Sequence, residues 1–253
     1  MNRIQNTLNK NKKILSIYFS AGFPNLNDTM SLIENLAKNN VDMIEIGLPF
    51  SDPLADGPTI QASSTQALKN GMTTEILFKQ LENIRETVEI PIIIMGYFNP
   101  VLQFGVANFL KKCVETGIDG LIIPDLPLEI YLNEYKKTFE SYGVAMIFLI
   151  TPQTSIERIR LIDENSNAFI YMVSSSSVTG SRGSFDENQL AYFERIAAMN
   201  LKNPQIIGFG ISNKTTFQQA TEHQKGAIIG SSFIQFLESN EIKHIEKFIQ
   251  NIL

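Results

Sequence analysis

The sequence predicts a single (βα)8 barrel over residues 1–253. Eight short apolar segments alternate with helical patterns, and each β-α unit takes roughly thirty residues, which suits a barrel of this chain length. A doubly wound open sheet is the alternative fold. It fits less well, because no glycine-rich dinucleotide-binding segment follows the first strand and no linker divides the chain.

The elements follow from local patterns. A polar N-terminal stretch at residues 2–12 predicts an extra helix below the barrel. Apolar segments predict strands at residues 13–20, 43–47, 90–95, 120–123, 144–150, 168–173, 205–209 and 226–229. Helical spacing of apolar residues predicts helices at residues 29–38, 59–70, 74–87, 103–116, 129–142, 155–165, 188–199, 214–222, 231–236 and 241–252. Small residues without apolar periodicity predict a long mobile loop after strand six, at residues 174–185.

Charge and composition exclude several functional classes. With a net charge of −5 and a sequence pI near 5.2, the chain lacks the basic patches that nucleic-acid binding requires. Its one cysteine, Cys113, cannot form an internal disulfide. The sequence shows no signal peptide and no apolar run long enough to span a bilayer, so we expect a cytoplasmic protein.

Glu45 is the most informative residue, because it interrupts the apolar strand Met43-Ile44-Glu45-Ile46-Gly47. An ionised carboxylate in a buried parallel strand is unfavourable unless it is paired, hydrogen-bonded or used chemically. Burial raises the pKa of such a carboxyl toward neutrality, which suits a group that both donates and accepts a proton. The competing interpretation is a structural ion pair with a buried lysine or arginine.

Two further carboxylates, Asp52 and Asp56, follow in a proline-rich loop. The fixed φ angles of its prolines stiffen the loop and reduce the cost of aiming a carboxylate. The whole segment Ile44–Pro58 resembles the signature of the tryptophan synthase alpha chain family, L-E-L-G-x-P-[FY]-S-D-P-x-A-D-G-P. The glutamate and the second aspartate of that signature are the family's catalytic pair, so the resemblance implies catalytic roles for Glu45 and Asp56.

Glycines that end strands seven and eight predict a phosphate site. They allow close backbone approach, and the N–H groups that open the helix at Ser231 suit an anion, although each glycine taken singly is an ordinary turn residue. The resemblance covers these loops through the motifs Y-x-x-S-x-x-G-V-T-G, G-F-G-I and G-S. It implies phosphate contacts from Gly180, Gly210, Gly230 and Ser231.

The resemblance also implies how the rest of the substrate is held. Phe19 and Ile60 would hold an aromatic ring, Tyr171 would position the substrate or Glu45, and Thr179 would join the substrate site. The implied reaction is the retro-aldol cleavage of indole-3-glycerol phosphate to indole and glyceraldehyde 3-phosphate, a step of L-tryptophan biosynthesis. Glu45 would protonate indole C3 and manage the glycerol hydroxyl proton.

The residues themselves point to acid–base chemistry without a metal or a cofactor in this chain. No lysine falls at the C-terminal end of a predicted strand, where a Schiff base would need it. His223 and His244 lie in late helical segments without carboxylates at ligand spacing. Two alternatives stay open: another phosphate-binding barrel enzyme, such as an isomerase or a Schiff-base aldolase, and an activator subunit with little turnover of its own.

The resemblance implies a partner as well. In that family the alpha chain works with a beta chain in an alpha2beta2 complex, and the beta chain carries pyridoxal phosphate and receives indole through a tunnel. The corresponding contact face here is the rim that holds Asp52, Pro53 and the turn at Asn99 and Pro100. Its proline and apolar content fits an interaction surface.

Overall fold

A closed barrel of parallel strands forms the centre of the molecule. The structure, a computed structural model, describes residues 3–174 and 184–253. Within these residues, eight strands pair in chain order and β8 returns to β1. The strands are β1 Ile14–Ser20, β2 Met43–Gly47, β3 Ile92–Met95, β4 Gly120–Ile122, β5 Ala145–Ile150, β6 Ile170–Val173, β7 Gln205–Gly208 and β8 Gly226–Ile229. The predicted (βα)8 barrel is confirmed.

Helices connect the strands and pack on the outside of the barrel. The α-helices are α1 Arg3–Leu8, α2 Asp28–Lys38, α3 Pro58–Lys69, α4 Thr74–Gln80, α5 Phe98–Phe104, α6 Val106–Thr116, α7 Leu128–Ile130, α8 Lys136–Tyr142, α9 Ile156–Asn165, α10 Glu187–Ala198, α11 Lys214–Thr221, α12 Ser231–Ser239 and α13 Ile245–Gln250. Short 3-10 turns lie at Ile84–Glu86 and Ile242–His244, and a π-helical turn lies at Tyr131–Tyr135. None of the helices in the described ranges is both long and apolar enough to cross a membrane.

Strand side chains alternate between two hydrophobic clusters. In β2, Ile44 and Ile46 pack with the surrounding helices, whereas Met43 packs with the side chains inside the barrel. This alternation follows from the two-residue period of a strand. Glu45 therefore shares the inner face with Met43.

Helix α1 closes the N-terminal end of the barrel. Its residues Ile4 and Leu8 are buried and belong to the inner cluster, together with Ile14 and Met43. The chemistry of such a barrel takes place at the opposite end, where the strands have their C-termini. The predicted N-terminal helix is confirmed, and its role is to fill the floor of the barrel.

The loop after β3 differs from the prediction. Residues 96–100 were expected to form a loop with a turn at Asn99 and Pro100, but helix α5 begins at Phe98. The Phe98 N–H donates to Asp125 Oδ1 at 2.8 Å, so a side chain from the next loop satisfies the start of this helix. Pro100 fits because a residue in the first helical turn needs no N–H donor.

Candidate active site

Glu45 is fully buried inside the barrel beside Ser16. Its exposed fraction is 0%, and the Ser16 hydroxyl donates a hydrogen bond to Oε1 at 3.0 Å. Oε2 has no hydrogen-bond partner among residues 3–174 and 184–253. In the same ranges no lysine or arginine forms an ion pair with Glu45, so the structure does not support the ion-pair interpretation.

The environment of Glu45 favours its protonated form. Burial raises the pKa of its carboxyl to about 8, and the Ser16 hydrogen bond opposes that rise in part. At neutral pH the carboxyl is therefore mainly protonated and able to donate its proton. A pKa this close to neutrality also lets the same group take a proton back within one reaction cycle.

Two tyrosines lie near Glu45. Tyr18 is the register partner of Glu45 on β1, and Tyr171 reaches the barrel interior from β6. Burial raises the pKa of both hydroxyls, and the charges of Asp56 and Glu45 raise them further. Both side chains therefore stay protonated. Gly47 lies under the Tyr18 hydroxyl at a place where a Cβ would overlap it, so only glycine leaves room there.

Asp56 is held in the loop after β2 by hydrogen bonds to its side chain and its backbone. Its Oδ2 accepts from the Tyr97 hydroxyl at 3.1 Å, and its backbone N–H donates to the Pro53 carbonyl at 3.1 Å. The Tyr97 oxygen in turn accepts from the Ala55 N–H at 2.9 Å. Burial raises the pKa of Asp56, whereas the bond from Tyr97 lowers it. The loop thus presents one carboxylate in a fixed direction.

A pocket at the C-terminal ends of the first strands brings several of these residues together. Its lining includes Tyr18, Ser20, Gly47, Leu48, Pro49, Phe50, Asp56, Ile60, Ser64, Met95, Gly96, Tyr97 and Pro124. The walls are mostly apolar or aromatic, and Asp56 is the one carboxylate among these lining residues. Such a pocket suits a flat aromatic ring that carries a hydrogen-bond donor.

The ends of β7 and β8 provide glycines beside a helix start. The two strands are neighbours, so Gly210 and Gly230 follow adjacent strands at the same end of the barrel. Gly210 has a φ of 79°, which favours glycine. Gly230 precedes helix α12, which begins at Ser231, and the first N–H groups of a helix attract anions.

Comparison with known proteins identifies the family. The family model described as tryptophan synthase alpha chain matches residues 4–252. The tryptophan synthase alpha chains of Flavobacterium psychrophilum and Flavobacterium johnsoniae are 70% and 69% identical over 252 residues, which is 100% of both chains in each case. The chain belongs to the tryptophan synthase alpha chain family.

Solved structures agree with this membership. Tryptophan synthase subunit alpha from Legionella pneumophila is 32% identical, with a TM-score of 0.89 over 100% of this chain and 97% of that one. A tryptophan synthase complex from Pyrococcus furiosus matches at 30% identity, with a TM-score of 0.85 over 95% of this chain and 98% of that one. The family catalyses the cleavage of indole-3-glycerol phosphate, and the chain is therefore a lyase of tryptophan biosynthesis.

One predicted substrate contact is wrong. Phe19 is fully buried among the helices outside the barrel, whereas the adjacent Tyr18 lines the pocket. Register partners on neighbouring strands share a face, and the partner of Glu45 is Tyr18. The alternation of Ser16, Tyr18 and Ser20 with apolar residues was visible in the sequence and would have identified the inner face.

The other predicted site residues stand as follows. Ile60 lines the pocket, and Tyr171 lies inside the barrel near Glu45. Thr179 and Gly180 lie outside the described residues, as do residues 175–183 of the predicted mobile loop. Tyr97 was not predicted as a site residue; nothing in its own segment indicates that its hydroxyl reaches Asp56. In the described part of the chain, no group of three or more His, Cys, Asp or Glu side chains could hold a metal ion.

The rim near Asp56 contains exposed apolar surface. Asp52 is exposed, Pro53 is half-buried, and the Leu54 side chain between this pair and Asp56 is 92% exposed. In helix α5 nearby, Leu102 is 49% exposed. Asn99 and Pro100 lie in the first turn of that helix rather than in a free turn. Apolar side chains exposed to this degree are a feature of interaction surfaces.

Proposed function

We propose that Glu45 and Asp56 cleave indole-3-glycerol phosphate by acid–base chemistry and release indole and glyceraldehyde 3-phosphate. The observation that carries the proposal is the buried Glu45 carboxyl, whose pKa is about 8. In its protonated form it donates the proton to C3 of the indole ring. Asp56, fixed by Tyr97, stabilises the positive charge that develops at the indole N–H.

Glu45 then acts as the base for the second half of the reaction. It takes the proton of the glycerol hydroxyl next to the bond that breaks. As the aldehyde of glyceraldehyde 3-phosphate forms, the electrons of the carbon–carbon bond return to the ring and restore its aromaticity. One proton leaves Glu45 and one returns, so the carboxyl ends in its starting state. No lysine lines the described part of the pocket, which disfavours the Schiff-base alternative.

The experiment for this proposal measures indole release from indole-3-glycerol phosphate with and without a beta chain. We expect measurable cleavage by the isolated chain and faster cleavage in the complex. Cleavage that is absent in both conditions would mean that the chain is an activator subunit. Borohydride trapping of a covalent adduct with substrate would instead indicate a Schiff-base aldolase.

A substitution at Gly230 tests the phosphate site that we propose for Gly210, Gly230 and Ser231. Gly230→Val is expected to crowd the N–H groups at the start of α12 and to raise KM about tenfold or more, with kcat less affected. Gly230 has a φ of −117°, which any residue can adopt, so the effect is not backbone strain at positive φ. Steady-state kinetics give both constants, and an unchanged KM would place the phosphate elsewhere.

We further propose a beta chain as the partner, in an alpha2beta2 complex in which the beta chain holds the pyridoxal phosphate. The exposed Leu54 and the link from Pro53 to the Asp56 N–H support this face, because contact here would act directly on the loop that carries Asp56. Cytoplasmic location and one catalytic domain over residues 1–253 stay predictions.

Charge reversal at the rim tests the partner face. Asp52→Lys is expected to weaken complex formation and to abolish stimulation by the beta chain, with thermal stability largely retained because Asp52 is exposed. Pro53→Gly should act the same way by loosening the loop. Glu89→Lys is the matched control, since this exposed residue precedes β3 at the opposite end of the barrel. Wild-type stimulation of both rim variants in a titration would show that the contact lies elsewhere.

A further inference from the structure

The hydrogen bond between Ser16 and Glu45 is unusual because it leaves the carboxyl half satisfied. Both residues have an exposed fraction of 0%, and the Ser16 hydroxyl is 3.0 Å from Oε1. The other oxygen, Oε2, has no partner in the described parts of the chain, before residue 175 and after residue 183. Buried polar atoms without a partner are rare and require a reason.

Among the groups that face Glu45, the Ser16 hydroxyl is the one that distinguishes the two carboxyl oxygens. From β1, Tyr18 faces the carboxyl; from β3, the register partner of Glu45 is the apolar Ile93; and from β6, Tyr171 lies near. Both tyrosines keep their protons over the working pH range, because burial and the charges of Glu45 and Asp56 raise their pKa. Neither introduces a charge that would select one carboxyl oxygen.

We propose that Ser16 is the positioning residue of Glu45: its hydroxyl holds Oε1 and so leaves Oε2 as the oxygen that exchanges the proton with substrate. A carboxyl that accepts at Oε1 carries its own proton on Oε2, the atom without a partner. After transfer, the same hydroxyl stabilises the ionised carboxylate. This inference rests on the proposed acid–base role of Glu45.

The first test removes the hydroxyl. In Ser16→Ala we expect Glu45 to titrate at higher pH than in the wild type, because the ionised form loses the hydrogen bond from the Ser16 hydroxyl. The expected kinetic effect is a loss of about tenfold or more in kcat with KM nearly unchanged. The titration midpoint of Glu45 is measured by NMR on isotope-labelled glutamate carboxyl carbons. The resonance of Glu45 is assigned as the one that is absent in Glu45→Gln. Steady-state cleavage of indole-3-glycerol phosphate measures kcat and KM.

Three further variants separate positioning from packing. Ser16→Thr keeps a hydroxyl and is expected to recover most of kcat, whereas Ser16→Cys fills the space with a weak donor and should behave like Ser16→Ala. If Ser16→Ala does not fold, Ser16→Cys takes its place in both measurements. Ser166→Ala is the matched control, because Ser166 is also buried but bonds the Ile162 carbonyl, away from Glu45.

The outcomes are distinct. An unchanged titration midpoint or an unchanged kcat in Ser16→Ala and Ser16→Cys would overturn the inference, as would an equal loss of kcat in Ser166→Ala. Full activity of Glu45→Gln would instead overturn the acid–base role of Glu45 itself. A large loss in Glu45→Gln with no effect in Ser16→Ala or Ser16→Cys would leave that role in place and remove only Ser16 from it.

Discussion

Glu45→Gln is expected to lower kcat for indole release by ~10²- to 10⁴-fold, the usual contribution of a general acid–base group. Glutamine is nearly isosteric and can keep the hydrogen bond from Ser16, but it cannot donate a proton of suitable pKa. KM should change little, because glutamine keeps the size of the glutamate side chain and so the shape of the site. Single-turnover cleavage, with the enzyme in excess of the substrate and above Kd, isolates the chemical step, and a near-normal rate would remove Glu45 from it.

The same variant has an expected effect on stability. Folding raises the pKa of Glu45 from 4.5 to about 8, so the folded state holds the proton more tightly than the unfolded chain. The stability of the wild type therefore falls as pH rises through this range and levels off above pH 8. Glu45→Gln lacks this titration. The difference in the free energy of unfolding between this variant and the wild type should therefore shift in favour of the variant by on the order of a few kcal/mol from about pH 5 to about pH 8.5. Denaturant unfolding at the two pH values gives the difference, and parallel pH profiles would show that Glu45 does not titrate on folding.

Asp56→Asn is expected to lose about as much activity, ~10²-fold or more, because it removes the negative charge that balances the indole N–H in the transition state. The neutral amide keeps the size of the side chain and can still contact Tyr97, so the loop should keep its course. We expect the change mainly in kcat, measured in the same single-turnover assay.

Tyr97→Phe is the matched control for Asp56. It removes the hydroxyl that donates to Oδ2 but keeps the carboxylate, so the expected loss is within about tenfold, the size of one hydrogen bond. If Tyr97→Phe lost as much activity as Asp56→Asn, the position of the loop rather than the charge of Asp56 would control the reaction.

The sequence alone was enough to predict the barrel and to identify Glu45 as its most unusual carboxylate. Glu45 was recognisable because a charge inside Met43–Gly47 is unfavourable without a use, and the structure shows it fully buried. The eight strands were recognisable because buried parallel strands are continuous apolar runs. Both features depend on local composition, which a sequence displays directly.

The errors arise where the result depends on contacts distant in sequence. The resemblance implied Phe19 as a contact of the ring, whereas the strand register makes Tyr18 the residue that shares the face of Glu45. Helix α5 was missed because its first N–H is satisfied by Asp125, 27 residues later. Tyr97 reaches Asp56 across 41 residues, which no local pattern indicates.

The pH dependence of kcat/KM tests the central claim most directly, since it reports the protonation state that the free enzyme needs. Glu45 must be protonated to donate its proton to indole C3, and its pKa is about 8. We therefore expect kcat/KM to be level near neutral pH. Above about pH 8 it should fall roughly tenfold per pH unit. A profile that stays level to about pH 9.5, or one that falls around the ordinary carboxyl pKa, would contradict a buried Glu45 as the proton donor.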